Sequence, residues 1–565
     1  MRYVRSPFLF KLVCLDGIPT LNIADLRTQE QEDRKTLGQI RNAYAYTSVM
    51  SGDADGCLEG TRENVLNEIM AWVSTTEFPN ILWLRSMPGA GKSAIARTIV
   101  RRLKACKRNG PSFFFSRDDI ERLTPFALWC HVLYTLSSRF DAFRREALTR
   151  IRQDHFEIGS SQAEDVFEIL IQTLASLKDG DIPMDQFPVI VIDALDECPQ
   201  FSSRIARPRQ SVLTAISRWS KISPSFKIIV TSREDSDIEH VLGNGLSYSL
   251  HLSTGVDVDE SSSRDIQHFM RQQLSGYSDL SEPSDQDLEI LSRRAAGLFI
   301  WAVTAVRFVL EQSGLPRQRF QRLLKDESVD QRLDELSKLY HILLTEQFTL
   351  KPDDSISLAF QCVVGTIVVA ATPLTTEELI GLLINSQDPP LDKSMIEHIL
   401  KRIEMVTSAR TVAAPTIRFS HQSFPQFLLE PRSRSQFYAI DLAQSKSYMA
   451  LRCLDIMNTS LTFNIGGLST YYQDNSKRRS GSLVPSYPRA TPSLCYVVLS
   501  FSAHLVHNPP SSDLLAALLI FFEKHLLHWL ELMSYLTAIH TTTAALEIIL
   551  RWLSEVRYFG ALYLS

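Results

Sequence analysis

The side chains with the clearest chemistry lie in RSMPGAGKSAIA, residues 85–96. Gly89, Ala90, Gly91, Lys92, Ser93 and Ala94 fit the end of the phosphate-loop pattern G-x-x-x-x-G-K-[ST] and its exit into a helix. Ser86, followed by Met87 and Pro88, stands where the first glycine of the pattern belongs. In such a loop the backbone N–H groups and the N-terminus of the next helix point at phosphate, and glycines let the backbone approach closely. Lys92 is placed to neutralise the β- and γ-phosphates, and the Ser93 hydroxyl to ligate Mg²⁺. The position of Ser86 calls for a tight turn but contributes no reacting group, so a small serine is compatible with it.

A metal-bound phosphate also needs a carboxylate from a neighbouring strand, and FPVIVIDALDEC supplies one. Val189 to Ile192 is wholly apolar and reads as a buried parallel strand, which puts Asp193 at its C-terminal end, where ligands gather in open α/β sheets. Asp193 is the candidate for holding Mg²⁺. Asp196 and Glu197 follow at once and offer a carboxylate to orient or deprotonate an attacking water. FKIIVTSRE ends a further strand, Phe226 to Val230, in Thr231, Ser232 and Arg233. The forked, permanently charged Arg233 suits a γ-phosphate contact. No N-K-x-D run is present to read guanine.

Positioning these groups requires strands that alternate with helices. ILWL, Ile81 to Leu84, is a short apolar run directly before the loop. Ile95, Ile99 and Leu103 mark a helical face directly after it. Gly60 and Thr61 can start an earlier helix through Val65, Ile69 and Val73. SFFFSRDD, Ser112 to Asp119, gives a strand between the two motifs. From Ser262 onward the pattern is helical nearly throughout, and Thr375 is the candidate cap of a helix after Pro373.

With 565 residues the chain exceeds one hydrophobic core, and about three to five domains are expected from length. A net charge of −5 gives no global reason to seek nucleic acid, and basic runs at Arg101 and at Lys477 to Arg479 read as solvated ends and loops. Eight scattered cysteines without C-x-x-C spacing fit neither a zinc site nor a disulfide framework, and suit a reducing compartment. Lys11 and Asp16 interrupt the apolar N-terminus, so no signal peptide is expected. The apolar stretches from Cys362 and Leu514 are too short to cross a bilayer. No transmembrane segment and a cytoplasmic location are therefore expected.

The motifs CLEGTRENVLNEIMAWV, ILWLRSMPGAGKSAIARTI, SFFFSR, VIVIDALDEC and IIVTSRE, in this order, resemble the NACHT domain of the STAND class of signal-transducing NTPases. The likeness is to the form widespread in filamentous and mushroom-forming fungi, the fungal NOD-like receptor type with a nephrocystin-type NTPase region. It continues through LSRRAAGLFIWAVTAVRFV, VVGTIVVAATPLTTEELIGLL, RFSHQSFPQFLLE and LRCLDIMNTSLTFNI, over about residues 56–540.

The resemblance implies an α/β P-loop NTPase fold, a parallel sheet with flanking helices, followed by mostly α-helical and winged-helix domains. The expected division is a poorly defined extension at 1–50, the NACHT domain at 51–250, a helical domain at 255–345, a winged-helix domain at 346–440 and a helical region without recognisable repeats at 441–565. It implies ATP/ADP and Mg²⁺ as cofactors. The nucleotide-binding set is Ser86, Pro88, Gly89, Ala90, Gly91, Lys92, Ser93, Ala94, Arg233 and His421; the catalytic set is Glu197, Asp196 and Lys92; the metal set is Ser93 and Asp193. His421, in FSHQSF, matches a histidine that reaches the ADP phosphate in the inactive state. On the residues alone a packed core histidine is the commoner role. A Gly-x-Pro adenine contact has no counterpart, because Phe299 replaces the proline.

Members of this class commonly carry a C-terminal repeat sensor and an N-terminal effector domain. Neither is recognisable here, so a truncated paralogue, an incomplete gene product or a stripped core is expected. The function implied is a nucleotide-operated switch with slow hydrolysis, protein partners and self-oligomerisation on activation, in defence or self/non-self signalling. The alternative is a degenerate scaffold that no longer hydrolyses nucleotide. A metabolic kinase would need an acceptor pocket for which no motif is found.

Overall fold

Short strands that are apolar on both faces organise the first half of the molecule. The computed structural model describes residues 23–44, 56–116, 124–153, 162–200, 207–255, 258–275, 283–311, 316–325, 334–348, 355–384, 391–410, 416–430, 436, 438–466, 490–506, 508–509 and 511–563. Among them, Ile81–Arg85 (β1), Asn109–Phe114 (β2), Val189–Asp193 (β3), Lys227–Ser232 (β4) and Tyr248–His251 (β5) form a parallel sheet in the order β2-β3-β4-β1-β5. Ile81, Trp83, Ile190, Ile192, Ile228 and Val230 point to one face. Leu82, Leu84, Val189, Val191 and Ile229 point to the other. Both sets are buried, so these strands read as unbroken apolar runs rather than alternating ones.

Helices cover both faces, as parallel connections require. Ile23–Tyr44 (α1) packs on Pro125–Arg139 (α4), which with Asp141–Gln153 (α5), Ala163–Ser176 (α6), Pro208–Trp219 (α7) and Ser236–Leu242 (α8) builds the core on the Trp83 face. Glu63–Ser74 (α2) and Lys92–Ala105 (α3) cover the Leu82 face through Leu66, Ile69, Ile95 and Ile99. Helix α2 starts at Glu63 rather than at Gly60 or Thr61, because Arg62 takes a left-handed φ of 59° and gives its N–H to Asp265 Oδ2 at 3.0 Å. The strand read from Ser112 begins earlier, at Asn109, and residues 117–123 of that segment lie outside the described residues. Strand β5 carries no apolar run and was not expected from sequence.

The strand order corrects one sequence expectation. The strand bearing Asp193 was expected beside the phosphate-loop strand, yet β4 lies between them, with Ile228 opposite Ile81 and Ile190 opposite Ile228. The Thr231–Arg233 end of β4 is thereby interposed between the loop and the acids.

The rest of the described chain is almost entirely helical and shares a second core. It comprises Glu260–Leu274 (α9), Asp285–Ala295 (α10), Phe299–Leu310 (α11), Pro316–Lys325 (α12), Glu335–Gln347 (α13), Ser355–Val369 (α14), Thr376–Leu383 (α15) and Lys393–Arg402 (α16). An antiparallel hairpin, Thr407–Arg410 (β6) and Thr416–Phe419 (β7), pairs Thr407 with Phe419. Then follow Ser423–Leu429 (α17), Leu442–Ser460 (α18), Pro492–Leu505 (α19), Ser512–Ile520 (α20), Leu526–Tyr535 (α21) and Thr542–Tyr563 (α22). Thr375 caps α15 reciprocally with Glu378, satisfying two otherwise orphaned N–H groups. Among the described residues no helix is long and apolar enough to cross a membrane.

Candidate functional site

The loop between β1 and α3 is held open by its own residues. Gly89 and Gly91 take φ of 85° and 98°, a region other L-residues enter at a cost of about 1–2 kcal/mol. Ser86 is buried and is not among the described residues with positive φ, so a glycine is not required there. It has acquired a use instead. Lys92 Nζ donates to the Ser86 carbonyl at 2.8 Å, to Ser86 Oγ at 3.2 Å and to the Met87 carbonyl at 3.1 Å, which stretches the lysine back along the loop. Burial pushes the Lys92 ammonium below its usual range, opposed by the charges of Asp196 and Asp193.

The acidic loop after β3 faces it. Asp193 is 2% exposed, and burial pushes its carboxyl up against hydrogen bonds from Thr231 and Ser93 and the charges of Arg97 and Lys92. Thr231 Oγ1 donates to Asp193 Oδ1 at 2.5 Å and accepts from Ala194 N–H at 3.0 Å. Ala194 turns the chain with a left-handed φ of 56°, and the one-turn helix Leu195–Glu197 brings the two remaining acids back to the cavity wall. Asp196 is 4% exposed and fully engaged, taking Arg233 Nε at 2.9 Å and Arg233 N–H at 3.1 Å, so it aims the guanidinium rather than meeting water.

The opposite wall comes from the helical half. Ile300 N–H, at the start of α11, donates to the Gly89 carbonyl at 3.0 Å, and a Cβ on Gly89 would lie 2.2 Å from Ile300 Cγ2 and 3.7 Å from His421 Cε1. His421, in the turn between β7 and α17, therefore lies against the phosphate loop. Its ring is pushed down to about 4 by burial and by the charges of Arg233 and Lys92, and is neutral at pH 7. Phosphate loop, acids, Arg233 and His421 line one cavity of about 810 Å³.

All of the site residues inferred from sequence stand on or beside this cavity. Pro88, Gly89, Gly91, Lys92, Ser93, Ala94, Asp193, Asp196, Glu197, Arg233 and His421 line it, while Ser86 and Ala90 are buried behind the loop. Two supporting arginines were missed. Arg62 Nη2 donates to the Ala90 carbonyl at 2.9 Å and Nη1 to Ser262 Oγ at 2.5 Å, with the guanidinium 4.8 Å from the centre of the Phe299 ring. It ties loop, α9 and α11 together, and gives Phe299 a partner where the family pattern has proline. Arg209, 5% exposed on α7, donates to the carbonyls of Cys198 at 2.8 Å and Asp196 at 2.6 Å and pairs with Asp235 and Asp237. It locks the acid loop to the segment after β4. Arg62 had a faint signal in its place ahead of α2, whereas nothing in the sequence singles out Arg209.

The donor set suits a polyphosphate. Backbone N–H groups at a helix N-terminus, an ammonium and a guanidinium converge where two glycines keep side chains away. Among the described residues no group of three or more His, Cys, Asp or Glu side chains could hold a metal by itself. Ser93 and Asp193 are a hydroxyl and a carboxylate in contact, the sparse protein set with which Mg²⁺ binds when phosphate supplies the other oxygens.

Sheet order, loop and acids define a P-loop NTPase fold. Residues 60–233 match the family described as Nephrocystin 3, N-terminal. The chain is also similar to vegetative incompatibility protein HET-E-1 of Podospora anserina, 24% identical over 414 residues that make up 67% of this chain and 28% of the relative's length. Both likenesses agree with the NACHT-type resemblance of the motifs. Among solved structures, a Signal Transduction ATPase with Numerous Domains with a tetratricopeptide repeat sensor, from Pyrococcus horikoshii, is 12% identical with a TM-score of 0.37, covering 91% of this chain and 66% of that one. The ORC2 protein of Aeropyrum pernix, in ADPNP and ADP complexes, is 11% identical with a TM-score of 0.30, covering 71% and 96%.

Proposed function

We propose that the chain is a switch operated by ATP and ADP with Mg²⁺, in which nucleotide in the cavity holds the helical half against the NTPase sheet. The observation that carries this reading is the hydrogen bond from Ile300 N–H to the Gly89 carbonyl, with His421 lining the same cavity, because a ligand on the phosphate loop then meets groups from both halves. A ligand shifts a two-state equilibrium only through such differential contacts.

In this reading the loop N–H groups, Lys92 and Arg233 bind and orient the phosphates. Ser93 and Asp193 would hold Mg²⁺, which would supply charge neutralisation to the phosphates. Glu197 takes a proton from water at its carboxylate, and Asp196 keeps Arg233 in place. The helices and hairpin within 346–440 serve as the winged-helix domain carrying His421 as a phosphate donor in the closed state. Exchange of ADP for ATP opens the contact and exposes surfaces for self-association, in a defence or self/non-self role in the cytoplasm.

The test is nucleotide carried through purification, identified by mass after denaturation, together with Mg-dependent ADP binding by the parent and by Lys92→Ala. Lys92→Ala is expected to abolish binding, since the phosphates lose their nearest cation. Equal thermal shifts by ADP in both proteins would refute the reading.

A further inference from the structure

A histidine can serve one ligand only if its tautomer is fixed, because the neutral ring has one donor and one acceptor nitrogen. His421 Nδ1 lies 3.1 Å from the Ser423 backbone N–H, which can only donate, and 2.7 Å from Ser423 Oγ. Nδ1 is therefore an acceptor, and the neutral ring carries its proton on Nε2. With the Ser423 hydroxyl donating to Nδ1, its oxygen accepts from the Tyr340 hydroxyl at 2.8 Å. The polarity runs one way, from Tyr340 through Ser423 to His421, and ends on an Nε2–H. Of the ring's atoms, the carbon between the two nitrogens comes nearest to the Cβ position of Gly89, at 3.7 Å.

Tyr340 is 2% exposed on α13, its ring edge-on to Phe424 at 5.1 Å. Packing alone would be served by phenylalanine, and a buried hydroxyl costs free energy unless it is bonded. The Tyr340 hydroxyl also bonds Thr304 of α11, the helix whose first turn holds the Gly89 carbonyl. The chain of hydroxyls thus links α11, α13 and the His421 turn.

We propose that Tyr340 and Ser423 are positioning residues that fix His421 as an Nε2–H donor to the terminal phosphate of a nucleoside diphosphate. This rests on the reading of His421 as a phosphate contact. Aligned hydroxyls polarise one another, so removing the first weakens the last.

The test compares the full chain with Tyr340→Phe, His421→Leu and the double variant, using release of a fluorescent ADP analogue and ¹⁵N spectra of histidine-labelled protein. His421 is assigned by its absence from the His421→Leu spectrum. The expected result is a proton on Nε2 in the parent, about 3- to 10-fold faster release in Tyr340→Phe, the loss of one modest hydrogen bond, and no further acceleration when Tyr340→Phe is added to His421→Leu. Ser423→Ala is the second variant should Tyr340→Phe not fold, and should likewise be silent in the His421→Leu background. A proton on Nδ1 in the parent, or equal acceleration with and without His421, would overturn the relay. Unchanged release in His421→Leu, with the Nε2–H tautomer found in the parent, would overturn the phosphate contact instead, and with it the proposed ligand.

Discussion

Gly89→Ala tests whether the phosphate loop and the helical half are coupled through one backbone position. The added methyl has two separate consequences. At a φ of 85° an L-residue is strained by about 1–2 kcal/mol. The new Cβ would also lie 2.2 Å from Ile300 Cγ2, an overlap that forces a shift costing about 1–3 kcal/mol. Together these sum to about 2–5 kcal/mol, a large part of the stability of an ordinary domain. The two parts separate in a double-mutant cycle. Ile300→Ala removes Cγ2, leaving the next contact, to Cβ, at 3.1 Å, so Gly89→Ala in that background should show the strain and only slight crowding. The expected coupling is about 1–3 kcal/mol in the favourable direction, read from urea unfolding at constant m. ADP release should follow the same order, fastest in Gly89→Ala and slower in the double variant. Additive effects in both measurements would mean that Ile300 does not rest on the loop, and the closed contact would fall with it.

Glu197→Gln keeps the shape of the side chain but not its basicity, so nucleotide binding should persist while turnover slows about 10²-fold or more; hydrolysis at the parent rate would remove Glu197 as the base. Arg209→Met strands Asp235 and Asp237 beside a buried site, and should lower stability by about 3 kcal/mol while slowing hydrolysis more than it weakens ADP binding; a stability loss with unchanged turnover per folded molecule would make Arg209 purely structural. His504 is 6% exposed, bonded to the Tyr496 hydroxyl at 2.9 Å, and burial pushes it down to about 4. Its contribution is fully present above the unfolded value of about 6.5 and is lost as pH falls towards 4, because only the unfolded chain binds the proton in that window. The loss is about 3 kcal/mol, and His504→Gln should show a correspondingly flatter stability profile between pH 7 and pH 4.5. Parallel profiles for the two proteins would refute this assignment.

The loop motif, the acid run and the apolar strands were legible because each depends on near neighbours in the chain. Gly89, Gly91, Lys92 and Ser93 act through the backbone of one turn, and Val189 to Asp193 announce a buried strand by composition alone. The cap at Thr375 was legible for the same reason, since its partner Glu378 is three residues away. What failed was whatever depends on distant pairing. Strand β5, half-exposed at the sheet edge, alternates Tyr248 and Leu250 with Ser249 and His251, a pattern too short to mark a strand without β1 beside it. The interposition of β4 between β1 and β3 is set by which strands pack beside one another, and a list of strands does not contain their order.

The same distinction divides the site. By itself the sequence determined that phosphate, metal and water chemistry could meet at the ends of parallel strands, because residue type and local conformation decide that much. Only the tertiary structure set Asp196 on Arg233, and found in Arg209 the clamp that holds the acid loop. Only it brought Ile300 and His421 onto Gly89 from more than two hundred and three hundred residues away. Such contacts are chosen by the burial of whole helices against a sheet, a sum over many side chains, and a short motif carries no record of that sum.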